Sequence, residues 1–222
     1  MIEAVLFDVD GTLLESNDAH ARAWVTALRA HGFEVPFSRV RPLIGMGGDR
    51  IIPELAGGLS SESPTGKAIA KRRSDAYLSS ELTSVRPTPG ARSALAAVHA
   101  RRARVGIATS ATGEELERSL RIDDLGALVD FCVTAQDVRN SKPASDIIDA
   151  AVKKAGVPGE RALMVGDTRY DIAAARKAGV RCVALLCGGN DPASLADAYA
   201  IYADPSELSQ DLDRLAVSGE QP

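Results

Sequence analysis

The sequence predicts an α/β protein, with a parallel sheet covered by helices on both faces and an inserted all-helical domain. Apolar runs of strand length alternate with stretches of helical periodicity, and such alternation is typical of parallel sheets. The 222 residues, 45% of them hydrophobic and 25% charged, are enough to bury a large core. The strand-like runs are residues 4–7, 104–108, 130–134, 162–165 and 182–186.

Helices are predicted between the later strands. Residues 113–120, 144–155 and 172–178 carry apolar side chains at helical spacing. Gly179 stands where the third of these helices would end. The strands and helices together therefore predict successive strand–helix–strand units in a single sheet.

One interval breaks this alternation and predicts a separate helical domain. Between residues 14 and 85 no run resembles a strand, while Trp24 and Leu28 fall on one face of a helix. Residues 86–90, Arg-Pro-Thr-Pro-Gly, are typical of a stiff connector. We therefore assign residues 1–13 and 86–222 to the α/β core domain and residues 14–85 to a helical insertion.

Two carboxylates follow the first predicted strand, in the segment Asp8-Val9-Asp10-Gly11-Thr12. Side chains two residues apart in an extended chain point to the same side, so Asp8 and Asp10 are expected to lie together. Their repulsion raises one pKa unless a cation neutralises it, which suits a metal-bound nucleophile beside a general acid/base. The alternative interpretation is an acidic turn after an edge strand.

Hydroxyl groups follow the second predicted strand, residues 104–108. Thr109 and Ser110 precede a predicted helix start, at which Thr112 and Glu115 match a capping box. Hydroxyls and backbone N–H groups at a helix N-terminus suit a phosphoryl group. A capped helix without any ligand would explain the same residues.

A lysine and a further acid complete the set. Lys142 precedes Pro143, which is expected to be the first residue of a helix, and a lysine in a loop is usually solvated. Asp167 follows an apolar strand and is either a helix N-cap or a ligand for Mg²⁺.

All four clusters follow predicted parallel strands and therefore share one edge of the sheet. Phosphoryl transfer needs a metal ion, donors for the phosphoryl oxygens and a nucleophile in line. The pooled carboxylates, hydroxyls, ammonium and helix N-termini predict a phosphoryl-transfer site, although no single cluster does.

The ordered set of motifs resembles the haloacid dehalogenase superfamily, especially the branch that holds phosphoglycolate phosphatase and β-phosphoglucomutase. The likeness covers nearly the whole chain, and it implies a Rossmann-like core with a C1-type helical cap. The motifs are Asp8-x-Asp10-Gly11-Thr12, Thr109-Ser110, Lys142-Pro143 and Gly166-Asp167 with Asp171. Where the family often has Lys-Pro-x-Pro-Asp, residues 142–146 read Lys-Pro-Ala-Ser-Asp.

The resemblance implies a Mg²⁺-dependent phosphatase that forms an aspartyl-phosphate on Asp8. Asp10 would protonate the leaving oxygen and then deprotonate the attacking water. Thr109, the backbone at Ser110, and Lys142 would hold the phosphoryl group. The implied metal ligands are the Asp8 carboxylate, the Asp10 main-chain carbonyl and the Asp167 carboxylate, with Asp171 orienting them.

Two other functions share parts of this pattern. A β-phosphoglucomutase-like sugar phosphomutase has similar motifs, but Thr12 is typical of phosphatases, since the mutases tend to have an aliphatic residue there. A phospho-receiver signalling domain also gathers acids, a hydroxyl and a lysine. Its phosphorylated aspartate lies on an internal strand, however, and it has no helical insertion.

Substrate choice is expected to reside in the cap, which would close over the phosphoryl site and exclude water. His20 matches a hinge position of the family, with a helix-face histidine as the alternative. In the loop 44–50, Gly45 would let the backbone approach a ligand, and Arg50 would meet an anionic leaving group. A plain helix–helix turn is the alternative there. A small phosphorylated metabolite is the expected substrate.

Charge and cysteine content restrict the partners and the compartment. With 26 basic and 30 acidic residues, the chain has no overall basic character, and the basic runs 71–73 and 101–104 are interpreted as solvated helix faces or ends. No apolar run is long enough to span a bilayer. Three cysteines and a start without signal-peptide features predict a reducing, cytoplasmic location. A monomer is expected, because no heptad pattern is present.

Overall fold

A six-stranded parallel sheet forms the centre of the protein in the computed structural model, which describes residues 1–217. The strand order is β3-β2-β1-β4-β5-β6, which places β1 between β2 and β4. Because every neighbouring pair is parallel, all the carboxyl ends lie at one edge. The strands are β1 Ala4–Phe7, β2 Arg104–Ala108, β3 Phe131–Val133, β4 Ala162–Gly166, β5 Arg181–Leu185 and β6 Ala200–Tyr202.

Helices cover both faces of this sheet, as predicted. Leu95, Leu116 and Leu208, from three different helices, pack against one face, while Ile147 and Ile172 pack against the other. The alternate strand residues are buried on both sides, as a parallel sheet requires. These helices are α5 Ala91–Ala100, α6 Gly113–Leu120, α7 Asp146–Ala155, α8 Arg169–Lys177 and α9 Pro205–Gln210.

Three details differ from the sequence prediction. The sixth strand, β6, was not expected, because three residues with one exposed side chain are too short to show a periodicity. Helix α7 begins at Asp146, so the prediction that Pro143 is its first residue is wrong. Helix α8 begins at Arg169, three residues before the predicted stretch, because Thr168 caps it. Gly179 follows α8 with a φ of +70°, as expected of a residue that ends a helix.

The interval between β1 and α5 holds four α-helices and no strand of the sheet. They surround an apolar cluster of their own, which includes Trp24, Leu28, Ile51 and Ile69 and is distinct from the two clusters beside the sheet. We call these helices the cap: α1 Asn17–Arg29, α2 Phe37–Val40, α3 Gly48–Leu55 and α4 Pro64–Ser79. The boundaries at residues 14 and 85 stay a prediction, and residues 218–222 of the predicted core segment lie outside the described residues.

No helix within the described part of the chain is long and apolar enough to cross a membrane. The three cysteines, Cys132, Cys182 and Cys187, are free thiols.

Candidate active site

Asp8 lies at the carboxyl end of the central strand β1 and is buried. Its carboxylate accepts a hydrogen bond from the ammonium of Lys142, with 2.8 Å between Nζ and Oδ1. Burial raises the pKa of Asp8 to about 7, against the opposing charge of Lys142. A buried carboxylate beside a buried ammonium can act as a nucleophile or as a metal ligand.

Lys142 reaches this position from the loop between β3 and α7, and it is completely buried. Its ammonium also donates to Oδ1 of Asp171 at 2.7 Å. Burial alone would lower the pKa of Lys142, but the carboxylates of Asp171 and Asp8 raise it above its ordinary value. Lys142 is therefore a charged member of the site and not the solvated loop lysine of the alternative interpretation.

Asp167 follows β4, which is a neighbour of β1 in the sheet, and Asp171 lies in the first turn of α8. Thr168 is the N-cap of α8 and forms a capping box with Asp171, so Asp167 is not the N-cap. The Thr168 hydroxyl donates to Asp171 Oδ2 at 2.6 Å. Both oxygens of Asp171 thus have protein donors, which suits an orienting role.

Asp167 is held by side-chain amides that the sequence did not indicate. Asn17 at the start of α1 and Asn190 after β5 both donate to its Oδ2, at 2.8 and 3.0 Å. Gly188 is required beside this carboxylate, because a Cβ there would lie 1.9 Å from Oδ2. Burial and the nearby carboxylates of Asp171 and Asp8 raise the pKa of Asp167 well above its usual range.

These acids suit a divalent cation. Oxygens of Asp8, Asp167 and Asp171 lie within 4.8 Å of one another and are buried. Three carboxylates against the single ammonium of Lys142 leave two negative charges, which one divalent ion would neutralise. The amide N–H₂ of Asn17 faces Asp167 and the Gly188 carbonyl, which leaves its buried Oδ1 without a partner. A negatively charged cluster of three carboxylates, beside the unpartnered amide oxygen of Asn17, fits a hydrated, hard cation such as Mg²⁺.

Asp10 lies beside Asp8 in a different environment. Its Oδ1 accepts hydrogen bonds from Ser16 Oγ at 2.6 Å and from His20 Nε2 at 2.7 Å. Arg73 Nη2 lies 2.8 Å from the other ring nitrogen, Nδ1, and an arginine can only donate. The proton of His20 is therefore on Nε2. Burial alone would raise the pKa of Asp10, but its contacts with His20 and Ser16 lower it to about 2.

A small cavity lies between the sheet edge and the cap. The structure brings several of the sequence-predicted residues to its wall: Asp8, Asp10, His20, Gly45, Thr109 and Ser110. The Ser110 hydroxyl donates to the Gly45 carbonyl at 3.3 Å, which joins core and cap at this wall. The wall of the cavity does not include Lys142, Asp167 or Asp171. These residues lie behind Asp8, which Lys142 contacts directly and whose carboxylate is within 4.8 Å of the other two.

Arg50 lies elsewhere. Its side chain is 48% exposed, its Nε is 3.6 Å from Asp49 Oδ2, and it does not line the cavity. The arginine at the wall is Arg73 of α4. It belongs to the basic run 71–73, for which the interpretation as a solvated helix face is wrong at this residue. Its spacing of four from Ile69 and from Tyr77, both buried, was the available signal.

Comparison with known proteins identifies the family. Residues 5–185 match the model of the haloacid dehalogenase-like hydrolases. The chain belongs to this family. Protein SUPPRESSOR OF QUENCHING 1 of Arabidopsis thaliana is 28% identical over 220 residues, which are 98% of this chain and only 20% of that protein.

Two bacterial relatives match over most of their own length. The phosphoglycolate phosphatase of Pseudomonas syringae pv. tomato is 29% identical, over 95% of this chain and 77% of the relative. The N-acetylmuramic acid 6-phosphate phosphatase of Pseudomonas aeruginosa is 30% identical, over 96% of each. These relatives are named as phosphatases, which confirms the predicted enzyme class, a hydrolase of phosphoric monoesters.

Solved structures confirm the fold. A hydrolase from Pseudomonas syringae superposes with a TM-score of 0.89 at 30% identity, over 96% of this chain and 98% of that chain. A putative β-phosphoglucomutase from Bacteroides vulgatus has a TM-score of 0.82 at 22% identity, over 99% and 91%. At that identity, the likeness to the second structure concerns the fold alone.

Proposed function

We propose that the protein is a Mg²⁺-dependent phosphatase, which hydrolyses a small organic phosphomonoester through an aspartyl-phosphate on Asp8. The observation that carries the proposal is the position of Asp8. Among the described residues, it is the one carboxylate that lines the cavity and also contacts Lys142. Its oxygens lie within 4.8 Å of carboxylate oxygens of Asp167 and Asp171, the other two acids of the candidate metal site.

In this proposal the metal ion is held by the carboxylates of Asp8 and Asp167 and by the main-chain carbonyl of Asp10. When bound, it supplies positive charge that neutralises the phosphoryl oxygens and keeps Asp8 ionised. Asp171 orients the site by accepting a hydrogen bond from Lys142. The side-chain amides of Asn17 and Asn190 hold the Asp167 carboxylate in place.

Asp8 attacks the phosphorus atom, and the bond from phosphorus to the leaving oxygen breaks. Lys142 balances the negative charge that the Asp8–phosphoryl group carries. Thr109 and Ser110 line the cavity at the end of β2, where their hydroxyl and backbone donors hold phosphoryl oxygens. Water then attacks the phosphorus atom, and the carboxylate of Asp8 is regenerated.

Asp10 serves both halves of this sequence. In the resting site it is ionised, with a pKa of about 2, and so it is ready to take a proton from water. To protonate a leaving oxygen, it must first gain a proton itself. The negative charge of a bound phosphomonoester raises the pKa of a neighbouring carboxyl, and this favours that protonation. His20 orients the Asp10 carboxylate throughout.

The position of the cavity, between the core and the cap, supports a small metabolite as the substrate. Three free thiols support a reducing compartment such as the cytoplasm. A monomeric state stays a prediction from the sequence.

Phosphate release from a panel of small phosphomonoesters tests this function, with Mg²⁺ and with a chelator, beside the Asp8→Asn variant. We expect release that requires Mg²⁺ and is lost in the variant. Release that is equal with chelator, or that persists in Asp8→Asn, would contradict the proposal.

A further inference from the structure

The cavity over Asp8 has an unusual charge balance on its cap side. Among the described residues, Arg73 is the one arginine or lysine that lines it. The positive charge of Arg73 is already matched, because its Nη1 pairs with the carboxylate of Glu115 on α6. The Glu115 side chain is 1% exposed, so this ion pair is shielded from solvent.

The remaining contacts of the Arg73 guanidinium are also with the protein. Nη2 donates to His20, and the guanidinium carbon lies 5.4 Å from the Trp24 ring centre and 5.7 Å from that of Tyr77. Only Nε is buried without a partner. These contacts use two of the five N–H groups of Arg73, and its charge is already balanced by Glu115.

Apart from His20 and Gly45, the rest of the cap wall is apolar. Trp24, Ile44, Met46 and Ile51 line the cavity, and all four belong to the apolar cluster of the cap or pack against it. The loop that carries Ile44 and Met46 is tied to the core, since Gly47 N donates to Ser141 Oγ at 3.1 Å. A leaving group would therefore meet apolar surface, the guanidinium of Arg73 that Glu115 already neutralises, and the carboxylate of Asp10.

We infer that this cavity selects phosphomonoesters with an uncharged, hydroxyl-bearing leaving group, such as polyol and sugar phosphates. Glu115 is the specificity-determining residue, because it cancels the positive charge of Arg73. A leaving group with a second anion would lie near the carboxylate of Asp10, while the arginine in the wall is already paired with Glu115. The inference rests on the phosphatase function proposed above and contradicts the expectation that Arg50 recruits an anionic leaving group.

A matched pair of substrates tests the inference. Glycerol 3-phosphate and 3-phosphoglycerate have the same carbon skeleton and differ in whether the far end is a hydroxymethyl group or a carboxylate. We expect kcat/KM with Mg²⁺ to favour glycerol 3-phosphate by about tenfold or more. A wild-type preference for 3-phosphoglycerate would overturn the inference while leaving the phosphatase function standing.

The Glu115→Gln variant tests the role of Glu115, because glutamine keeps the capping box but removes the negative charge. With the charge of Arg73 free, we expect the preference ratio to move about tenfold toward 3-phosphoglycerate. Glu117→Gln is the matched control, since Glu117 lies on the same helix in an exposed pair with Arg121. We expect its ratio to equal that of the wild type.

The remaining outcomes are separable. An unchanged ratio in Glu115→Gln, with a circular dichroism spectrum and Tm that match the wild type, would overturn the role of Glu115. Failure of the wild type to release phosphate from either substrate or from the wider panel would overturn the phosphatase function, and this inference with it.

Discussion

Asp8 and Asp10 are two residues apart, yet their surroundings shift their pKa values in opposite directions. Burial raises the pKa of Asp8 to about 7, while contacts with His20 and Ser16 hold that of Asp10 at about 2. Two acids with separated pKa values can take different roles in one reaction. These environments support the proposed roles of Asp8 as the nucleophile and Asp10 as the proton carrier.

Replacement of His20 tests how Asp10 is controlled. In His20→Asn the ring donor to Asp10 is lost, so the pKa of Asp10 rises and a larger fraction is protonated at low pH. Because the second step needs ionised Asp10, the acid limb of the kcat–pH profile should move to higher pH. We also expect kcat at neutral pH to fall by about tenfold to a hundredfold.

A second histidine–aspartate pair provides the control. His99 lies 3.1 Å from Asp130, at the opposite edge of the sheet. His99→Asn should leave kcat and its pH profile unchanged. A His20→Asn profile that coincides with the wild-type profile would contradict the positioning role of His20.

The raised pKa of Asp8 predicts how metal binding depends on pH. A carboxylate must lose its proton to bind a cation, so protons compete with Mg²⁺ below about pH 7. The raised pKa of Asp167 adds to this competition. Calorimetric titration of the metal-free protein should show Mg²⁺ affinity falling by about tenfold or more for each pH unit from about 7 downward. An affinity that is constant over that range would contradict the burial argument.

Some residues of the site could be predicted from the sequence, and others could not. Asp8, Thr109 and Asp167 each follow a strand directly, so a local pattern places them at one edge. Asn17 and Asn190 were missed because each contacts Asp167 through folding alone, and Asn17 is separated from it by 150 residues. No local periodicity carries such a contact.

At the scale of elements, capping boxes fix where the helices of the site begin. Thr112 starts α6 and Thr168 starts α8, and in each case the glutamate or aspartate three residues on completes the box. The first box was predicted from the sequence. The second was not, because Asp167 was itself a candidate N-cap, and the structure decides between the two residues.

The two boxes form a matched pair for mutation. Thr112→Ala and Thr168→Ala should each lower the free energy of unfolding by about 1–2 kcal/mol, as measured with denaturant. Only Thr168→Ala should also weaken Mg²⁺ binding, by about tenfold, because Thr168 holds Asp171 against Lys142. An equal loss of Mg²⁺ affinity in both variants would contradict this assignment.

At the scale of the whole molecule, folding concentrates negative charge at the carboxyl ends of the central strands β1 and β4. The fold is set by alternation of strands and helices that the sequence shows plainly, and five of the six strands were predicted. The cap was predicted as helical, and His20 and Gly45 line the cavity as expected, but the arginine at the wall is Arg73 and not Arg50. Which of two helical arginines faces the core depends on how the helices pack, which a local pattern does not fix.

Mg²⁺ should stabilise the whole fold, because the acids are brought together only in the native state. At about 100 times its dissociation constant, a ligand adds about 2.7 kcal/mol. For a chain of this length, that raises Tm by about 5–10 °C. We expect this shift for the wild type and for Asp197→Asn, an exposed acid paired with Arg176, but not for Asp167→Asn. A full shift in Asp167→Asn would remove Asp167 from the metal site.

The central claim is that Asp8 carries the phosphoryl group, and mass spectrometry of the trapped protein tests it most directly. The Asp10→Asn variant lacks both the acid for the leaving oxygen and the base that activates water. With Mg²⁺ and p-nitrophenyl phosphate, whose leaving oxygen needs no proton, an intermediate should therefore form and accumulate before an acid quench. We predict one phosphoryl group on the peptide that contains Asp8. Phosphate release with no adduct, or an adduct on another residue, would contradict the account.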